Sequence, residues 1–211
     1  MSSHVALPRR LLFLLPLLTA LGTAHGQSLS GKDLVAALRT GGYVIVMRHA
    51  RSPGTPPDAA QADADNVLLE RQLDEAGRTS ARAMGEALRR LRIPVGQVLS
   101  SPTYRALETV RLAQLGQPKT SSQLGDANQS MQADPSGRRA AWLRAKVAET
   151  PSVGTNTIIV THFPNVNEAF EKDTAGLADG EALVFHPDGR GKVALVGRMK
   201  IEDWPRLAAV H

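Results

Sequence analysis

Three short apolar runs stand out along the chain as candidate buried strands. They are "YVIVM" at 43–47, "GQVLSS" at 96–101 and "NTIIVTH" at 156–162. The first run is continuous, apolar and β-branched, which is typical of a strand covered on both faces. The third run is also apolar, and the second is a short strand with Val98 and Leu99 at its centre. The pattern therefore predicts a central sheet with layers packed on both sides.

Segments with helical spacing alternate with these runs. Four helices are predicted: one after Ser30, one capped by Asp74 and running to about Leu91, one with Ser101 at the cap and Pro102 at its first position, and one starting at Asp134 and Pro135 and running to about Ala148. The stretch "EALVFHPDGRGKVALVG" reads as a hairpin with Pro187, Asp188 and Gly189 in its turn. Strands that alternate with helices favour a three-layer α/β fold with a mainly parallel central sheet.

The N-terminus has the layout of a secretory signal peptide. Arg9 and Arg10 precede an apolar run over 11–21, and small residues follow. The run is too short for a membrane span, which needs about 20 residues. Cleavage is expected after Gly26 or after Ala24. We therefore expect a signal peptide over 1–26, one domain over 27–211, no stable membrane insertion after cleavage, and a periplasmic or secreted location.

Net charge and cysteine content limit the classes of substrate and of catalytic group that are expected. The net charge is +5, and it falls to +3 without the segment 1–26, which holds two arginines and no acid. A basic balance of this size suits an anionic substrate. There is no basic stripe interleaved with aromatic residues, so nucleic-acid binding is not expected. The chain has no cysteine, which excludes thiol catalysis and thiolate metal sites.

Polar residues follow each of the three strongest strands. Arg48 and His49 follow the first, Arg105 lies in the helix after the second, and His162 ends the third. In α/β sheets, ligands bind beyond the carboxyl ends of the strands, so these four side chains are expected to meet there. Singly, each residue type is more often structural. Together, four groups that can carry positive charge call for an anion between them.

A phosphoryl group is the anion that suits this set. Arginine matches phosphate oxygens with paired donors, and neutral imidazole is a nucleophile toward phosphorus. Neighbouring arginines favour the neutral ring because they lower its pKa. Stabilising the charge on the transferred group is the main catalytic task in phosphoryl transfer.

The segments "VIVMRHARS", "VLSSPTYRALETV" and "IIVTHFPN" resemble the histidine phosphatase superfamily, with its phosphoglycerate mutase-like fold. The resemblance covers nearly all of the chain from about 34 to 198. It implies that His49 is the nucleophile that becomes phosphorylated. It also implies that Arg48, Arg105 and His162 hold the phosphoryl oxygens. Alanine stands at Ala50, where the family has glycine, and should be tolerated unless the position needs a positive φ.

The proton donor is the open element of this resemblance. Some members carry an acid directly after the second histidine, but Phe163 stands there. In the mutase-like branch the acid lies further along the chain than the helix arginine, and Asp126 is at a comparable place. The alternative is that Asp126 is simply a turn residue. Glu108 lies one turn after Arg105 and is expected to pair with a neighbour on its own helix rather than to act as the acid. Acids in the 53–66 segment lie in an expected surface loop that could close over the site.

The resemblance implies a phosphomonoesterase, the N-terminal pattern predicts that it is exported, and the lack of metal-ligand spacing predicts that it needs no metal or other cofactor. Its expected substrate is a phosphorylated small molecule or a cell-envelope sugar phosphate. Two alternatives stay open. One is a protein phosphohistidine phosphatase, which could work without Asp126. The other is a non-catalytic phosphate- or phospholigand-binding protein that uses the same four residues.

Overall fold

The computed structural model describes residues 28–52, 70–125 and 137–210. Several sequence predictions lie outside this part of the chain. They are the signal peptide over 1–26, the loop over 53–66, the role of Asp126, and the helix start at Asp134 and Pro135.

The described residues form a mixed six-stranded sheet. The strands are β1 (Val44–Arg48), β2 (Val95–Ser100), β3 (Lys119–Thr120), β4 (Asn156–Thr161), β5 (Ala182–Pro187) and β6 (Val193–Met199). Their spatial order is β3-β2-β4-β1-β5-β6. Strands β1 to β4 run parallel, and β5 and β6 form an antiparallel hairpin that joins the sheet beside β1. The predicted α/β fold with a mainly parallel central sheet is confirmed.

Helices cover both faces of this sheet. They are α1 (Gly31–Thr40), α2 (Glu75–Arg90), α3 (Tyr104–Ala113), α4 (Arg138–Val147), α5 (Phe163–Phe170) and α6 (Asp203–Ala209). Helix α5 and the short helix α6 were not anticipated from the sequence pattern. None of the helices in the described part of the chain is long and apolar enough to cross a membrane.

Alternation along the buried strands creates two separate cores. In β1, Ile45 and Met47 pack on one side of the sheet with α1, α2, α3 and α6, whereas Val44 and Val46 pack on the other side with α4 and α5. Successive side chains of a strand point to opposite faces, so a continuous apolar run supplies both cores. This explains why the sequence pattern of β1 lacks polar alternation.

Two helix starts differ in how they are capped. The predicted cap of α2 is confirmed, because Asp74 accepts a hydrogen bond from the Gly77 N–H at 2.7 Å. The prediction that Ser101 caps α3 is wrong, since α3 begins at Tyr104. The Tyr104 N–H instead donates to the Glu70 carboxylate from a distant segment, at 3.1 Å. A sequence-local cap rule could not anticipate this contact.

The hairpin turn also lies slightly later than predicted. Pro187 is the last residue of β5 rather than a turn residue. Asp188 then organises the turn, since its side chain accepts hydrogen bonds from the backbone N–H groups of Arg190 and Lys192.

The carboxyl ends of the central strands reach the same level. Ser100 of β2 and Met47 of β1 both pair with Val160 of β4. Just beyond, the N–H of His49 donates to the Thr161 carbonyl at 2.9 Å, and the N–H of Ser101 donates to the Val160 carbonyl at 2.9 Å. The residues that follow β1, β2 and β4 are therefore held side by side at one edge of the sheet.

Candidate active site

Two backbone hydrogen bonds hold His49 in place. Its N–H bonds to Thr161, and its carbonyl accepts from the N–H of Gly180 at 2.9 Å. The ring is 2% exposed. Its Nδ1 lies 2.7 Å from the Ala50 carbonyl oxygen, and a carbonyl can only accept, so Nδ1 carries the proton. The lone pair of the neutral ring is therefore on Nε2.

Arg105 joins the two predicted histidines. Its Nε donates to His49 Nε2 at 3.2 Å, and its Nη2 lies 3.1 Å from His162 Nδ1. A guanidinium group only donates, so His162 Nδ1 is the acceptor. The two ring centroids are 5.1 Å apart and the rings are inclined by 62°. One cation, 1% exposed, thus contacts a nitrogen lone pair on each ring.

The far side of the His162 ring determines its tautomer. With Nδ1 accepting, Nε2 carries the proton, and it lies 2.8 Å from Ser101 Oγ and 3.2 Å from Thr103 Oγ1. Ser101 Oγ also accepts from the Thr103 N–H. The hydroxyl that the sequence suggested as a helix cap therefore orients His162 instead.

Both imidazoles are held neutral. Burial and, to a smaller extent, the charge of Arg105 lower the pKa of His49 to about 3, against the opposing effect of the Ala50 carbonyl. Burial, followed by the Arg105 charge, also places the pKa of His162 well below its usual value. A neutral His49 with its lone pair on Nε2, where it accepts from Arg105, has the protonation state that a nucleophile needs.

Arg48 lies at the edge of this cluster and is held differently. Its Nη2 forms an ion pair with Asp179 at 2.7 Å, and its Nη1 donates to the Leu177 carbonyl at 3.4 Å. The guanidinium carbon lies 5.8 Å from the centre of the Phe163 ring. Its Nε is buried with no hydrogen-bond partner among the described residues. That N–H remains available to an anion, while Asp179 competes for the rest of the group.

Ala50 fits the place where the family has glycine. The described non-glycine residues with positive φ are Arg92 and Gln114, so Ala50 has an ordinary backbone conformation. Its N–H donates to Thr109 Oγ1 at 3.1 Å, and Thr109 donates onward to the Arg105 carbonyl. This hydroxyl ties the segment after β1 to α3 and was not anticipated from the sequence.

The structure therefore brings together Arg48, His49, Arg105 and His162, as the strand-end argument expected. Glu108 does not join them, because it pairs with Arg111 at 2.6 Å, as expected for a helix neighbour. Asp126 lies outside the described residues. The residue before it, Gly125, is held against α5, since its carbonyl accepts from the Asn165 side chain at 2.9 Å.

Sequence reasoning missed several polar neighbours. Ser101 and Thr103 could have been noticed as hydroxyls inside the "SSPTYR" segment. Arg71 donates to Ser52 Oγ at 2.9 Å and contributes to the lowered pKa of both His49 and His162. No sequence motif pointed to Asp179, because only the tertiary fold brings it to Arg48. Across 28–52, 70–125 and 137–210, no three His, Cys, Asp or Glu side chains cluster as metal ligands would.

Part of the chain is similar in sequence to a known protein family. A sequence model of the histidine phosphatase superfamily (branch 1) matches residues 44–128. This range includes the segments after β1 and β2. No curated protein sequence is significantly similar to the chain.

Solved structures share the fold at low sequence identity. The protein histidine phosphatase SixA, complexed with tungstate, is 19% identical, with a TM-score of 0.55 over 76% of this chain and 98% of its own. A putative phosphohistidine phosphatase SixA from Agrobacterium tumefaciens is 18% identical, with a TM-score of 0.52 over 75% and 97%. A phosphoserine phosphatase from Entamoeba histolytica, in a mutant form with phosphoserine, is 10% identical, with a TM-score of 0.50 over 76% and 98%. At sequence identities this low, the similarity shows a shared fold and nothing more.

Proposed function

We propose that this chain, whose residues 44–128 match a sequence model of the histidine phosphatase superfamily, is a member of that superfamily and a phosphomonoesterase that works through a phosphohistidine on His49. One observation carries the proposal. His49 presents the lone pair of a buried, neutral ring toward a guanidinium group that also contacts His162. This geometry suits a nucleophile beside groups that hold the oxygens of a phosphoryl dianion.

The proposed reaction has two displacements at phosphorus. In the first, His49 Nε2 attacks, the bond to the leaving oxygen breaks, and a phosphohistidine forms. In the second, water attacks phosphorus, the P–N bond breaks, and phosphate leaves with the lone pair restored to Nε2. Arg105 and Arg48 offer donors to the equatorial oxygens, where charge must be stabilised in both steps.

The fixed tautomers give each histidine a separate task. Nδ1–H of His49 stays bonded to the Ala50 carbonyl, so the ring keeps its orientation while Nε2 reacts. That contact also stabilises the positive charge that the ring gains on phosphorylation. His162 accepts from Arg105 at Nδ1 and donates to Ser101 at Nε2, so in this tautomer it positions the guanidinium group, and it would bond a phosphoryl oxygen only with a proton on Nδ1.

Asp126 remains the predicted proton donor to the leaving oxygen. The preceding residue supports this assignment, because the Gly125 carbonyl is anchored to Asn165 of α5, the helix that follows His162. Asp126→Asn should slow alkyl phosphates much more than aryl phosphates, since an alkoxide needs a proton to leave and a nitrophenolate does not. Equal slowing of both would argue against the role.

Turnover with trapping of the intermediate tests the proposed function. The protein, assayed with an aryl phosphate in EDTA, should release phosphate, and rapid quenching should leave an acid-labile phosphoryl group on His49. His49→Ala should abolish both, while His186→Ala, at an exposed hairpin position, should change neither. An inactive unmutated protein that still binds inorganic phosphate in calorimetry would favour the non-catalytic binding alternative.

A protein phosphohistidine phosphatase is the second candidate. It is supported by the fold shared with the protein histidine phosphatase SixA. A phosphoramidate leaves more readily than an alkoxide, so this reaction needs less help from an acid. A protein that hydrolyses phosphohistidine peptides efficiently and ignores alkyl and sugar phosphates, with no effect of Asp126→Asn, would establish it over the ester reaction.

We also propose export and an envelope substrate, on the basis of the N-terminal pattern and the basic charge. Expression of the full chain in a bacterium should yield a periplasmic protein whose new N-terminus, read by mass spectrometry, follows Ala24 or Gly26. An uncleaved protein held in the cytoplasm would contradict this proposal. A screen of cell-envelope sugar phosphates and other phosphorylated metabolites would then identify the substrate.

A further inference from the structure

Phe163 is an exposed aromatic side chain at the mouth of the candidate site. It follows His162 directly and is the first residue of α5. It is 37% exposed, and the other exposed large apolar side chains among the described residues are Val153, Val193 and Val210. These three lie in the loop before β4, at the hairpin turn and at the end of the described chain. Phe163 alone among the four adjoins the proposed phosphoryl pocket.

The ring lies beside a charged group of the candidate site. The Arg48 guanidinium lies 5.8 Å from the ring centre, and Asp179 and the Leu177 carbonyl hold that guanidinium. Arg48 thus joins the ring to the phosphoryl pocket through a cation–π contact. Because Asp179 and the Leu177 carbonyl hold the guanidinium, its position beside the ring is preorganised.

Single exposed apolar side chains are common on protein surfaces, so the informative feature of Phe163 is its place directly after His162 and beside Arg48. A polyhydroxylated sugar would need hydrogen-bonding groups around the mouth, whereas Phe163 offers an apolar, polarisable surface. Planar unsaturated groups gain from such a surface through stacked or edge-to-face contact.

We infer that Phe163 is a specificity-determining residue that contacts the leaving group, and that the substrate carries a planar, unsaturated group beside its phosphate. Aryl, arylmethyl and imidazole leaving groups belong to this class. The inference rests on the proposed function and deepens it. It favours planar leaving groups over the sugar phosphates suggested by the predicted location.

Two substrates that differ only in planarity provide the test. Benzyl phosphate and cyclohexylmethyl phosphate have similar size and both release an alkoxide, so chemistry at phosphorus is matched. The unmutated protein should prefer benzyl phosphate in kcat/KM. Phe163→Ala should lower kcat/KM for benzyl phosphate about three- to tenfold, mainly through KM, and for cyclohexylmethyl phosphate less than about twofold. Phe163→Trp should retain the preference, and Val193→Ala, at an exposed apolar position in the hairpin, should leave it unchanged.

Three results would overturn the inference. They are an equal loss on both substrates, which would mean that Phe163 only supports Arg48; no loss on either; or no preference in the unmutated protein. In the unmutated protein, competitive inhibition of aryl phosphate hydrolysis by benzylphosphonate and cyclohexylmethylphosphonate gives the same comparison without cleavage of either ligand, so a poorly folded variant does not decide the outcome. If His49→Ala stays fully active, the proposed function fails instead, whatever Phe163 does.

Discussion

His49 and His162 face one guanidinium group from two sides. Arg105 contacts Nε2 of the first ring at 3.2 Å and Nδ1 of the second at 3.1 Å, and the ring centres are 5.1 Å apart. The opposite nitrogen of each ring is protonated and bonded to an oxygen acceptor. Both tautomers therefore follow from the fold itself, before any substrate binds.

Replacing Arg105 by lysine should remove this shared contact. An ammonium group is a compact charge on a flexible stem and cannot present two fixed donors to two rings. We expect kcat/KM for an aryl phosphate to fall by about 100-fold or more, the scale of losing one preorganised donor. Arg111→Lys, on the exposed side of the same helix, is the control and should stay near the unmutated rate. A loss below about threefold for Arg105→Lys would contradict the role.

The two neutral histidines predict a loss of stability in acid. Because the pKa of His49 falls from 6.5 to about 3 on folding, its proton is bound mainly by the unfolded chain between those values. Stability from this group is complete above pH 6.5 and decreases as pH falls toward 3, by up to about 1.4 kcal/mol per pH unit. His162, whose pKa is also lowered, acts in the same direction.

Urea unfolding at a series of pH values between 4 and 7 measures this slope. His49→Asn should make it shallower by about 1.4 kcal/mol per pH unit, since one proton-linked group is gone. His186→Asn, at an exposed position, should leave the slope unchanged. A slope that His49→Asn does not alter would show that the ring is not held neutral by the fold.

Asp179 should weaken phosphate binding by competing for Arg48. Its side chain is 33% exposed, so the ion pair is partly screened and worth at most about 1 kcal/mol. Asp179→Asn frees the guanidinium and removes a negative charge, so inorganic phosphate should bind about two- to fivefold more tightly at low salt. Calorimetry measures the change, and Asp203→Asn, in the exposed pair with Arg206, is the control. Weaker binding in Asp179→Asn would mean that the carboxylate chiefly positions Arg48.

Gly85 should be essential for packing α2 against α3. A methyl group there would meet the Ala113 carbonyl, far inside contact distance. Alanine usually stabilises a helix interior over glycine by about 1 kcal/mol, but here the clash with backbone should dominate. We expect Gly85→Ala to lower the free energy of unfolding by about 2 kcal/mol or more, measured by urea denaturation. Glu86→Ala, on the exposed face of the same helix, should change it by less than about 0.5 kcal/mol.

Much of the architecture was predictable because it depends on local patterns. The apolar runs around Val46, Leu99 and Ile159 contain both core faces of a buried strand, and alternation with helices leaves few topologies. Asp74 caps its helix through a contact three residues away, which local rules capture. The start of α3 was placed too early because its first N–H is satisfied by Glu70, more than thirty residues distant.

The candidate site also divides into features that depend on local sequence and features that depend on tertiary contacts. The sequence by itself determined that Arg48, His49, Arg105 and His162 follow strand ends, because the direction of a parallel sheet brings such positions to one edge. Only the tertiary structure decided the tautomers, the lowered pKa values, the role of Ser101 in holding His162, and the pairing of Arg48 with Asp179. Those properties depend on burial and on angstrom-scale contacts between distant segments, which a one-dimensional pattern of residue types does not specify.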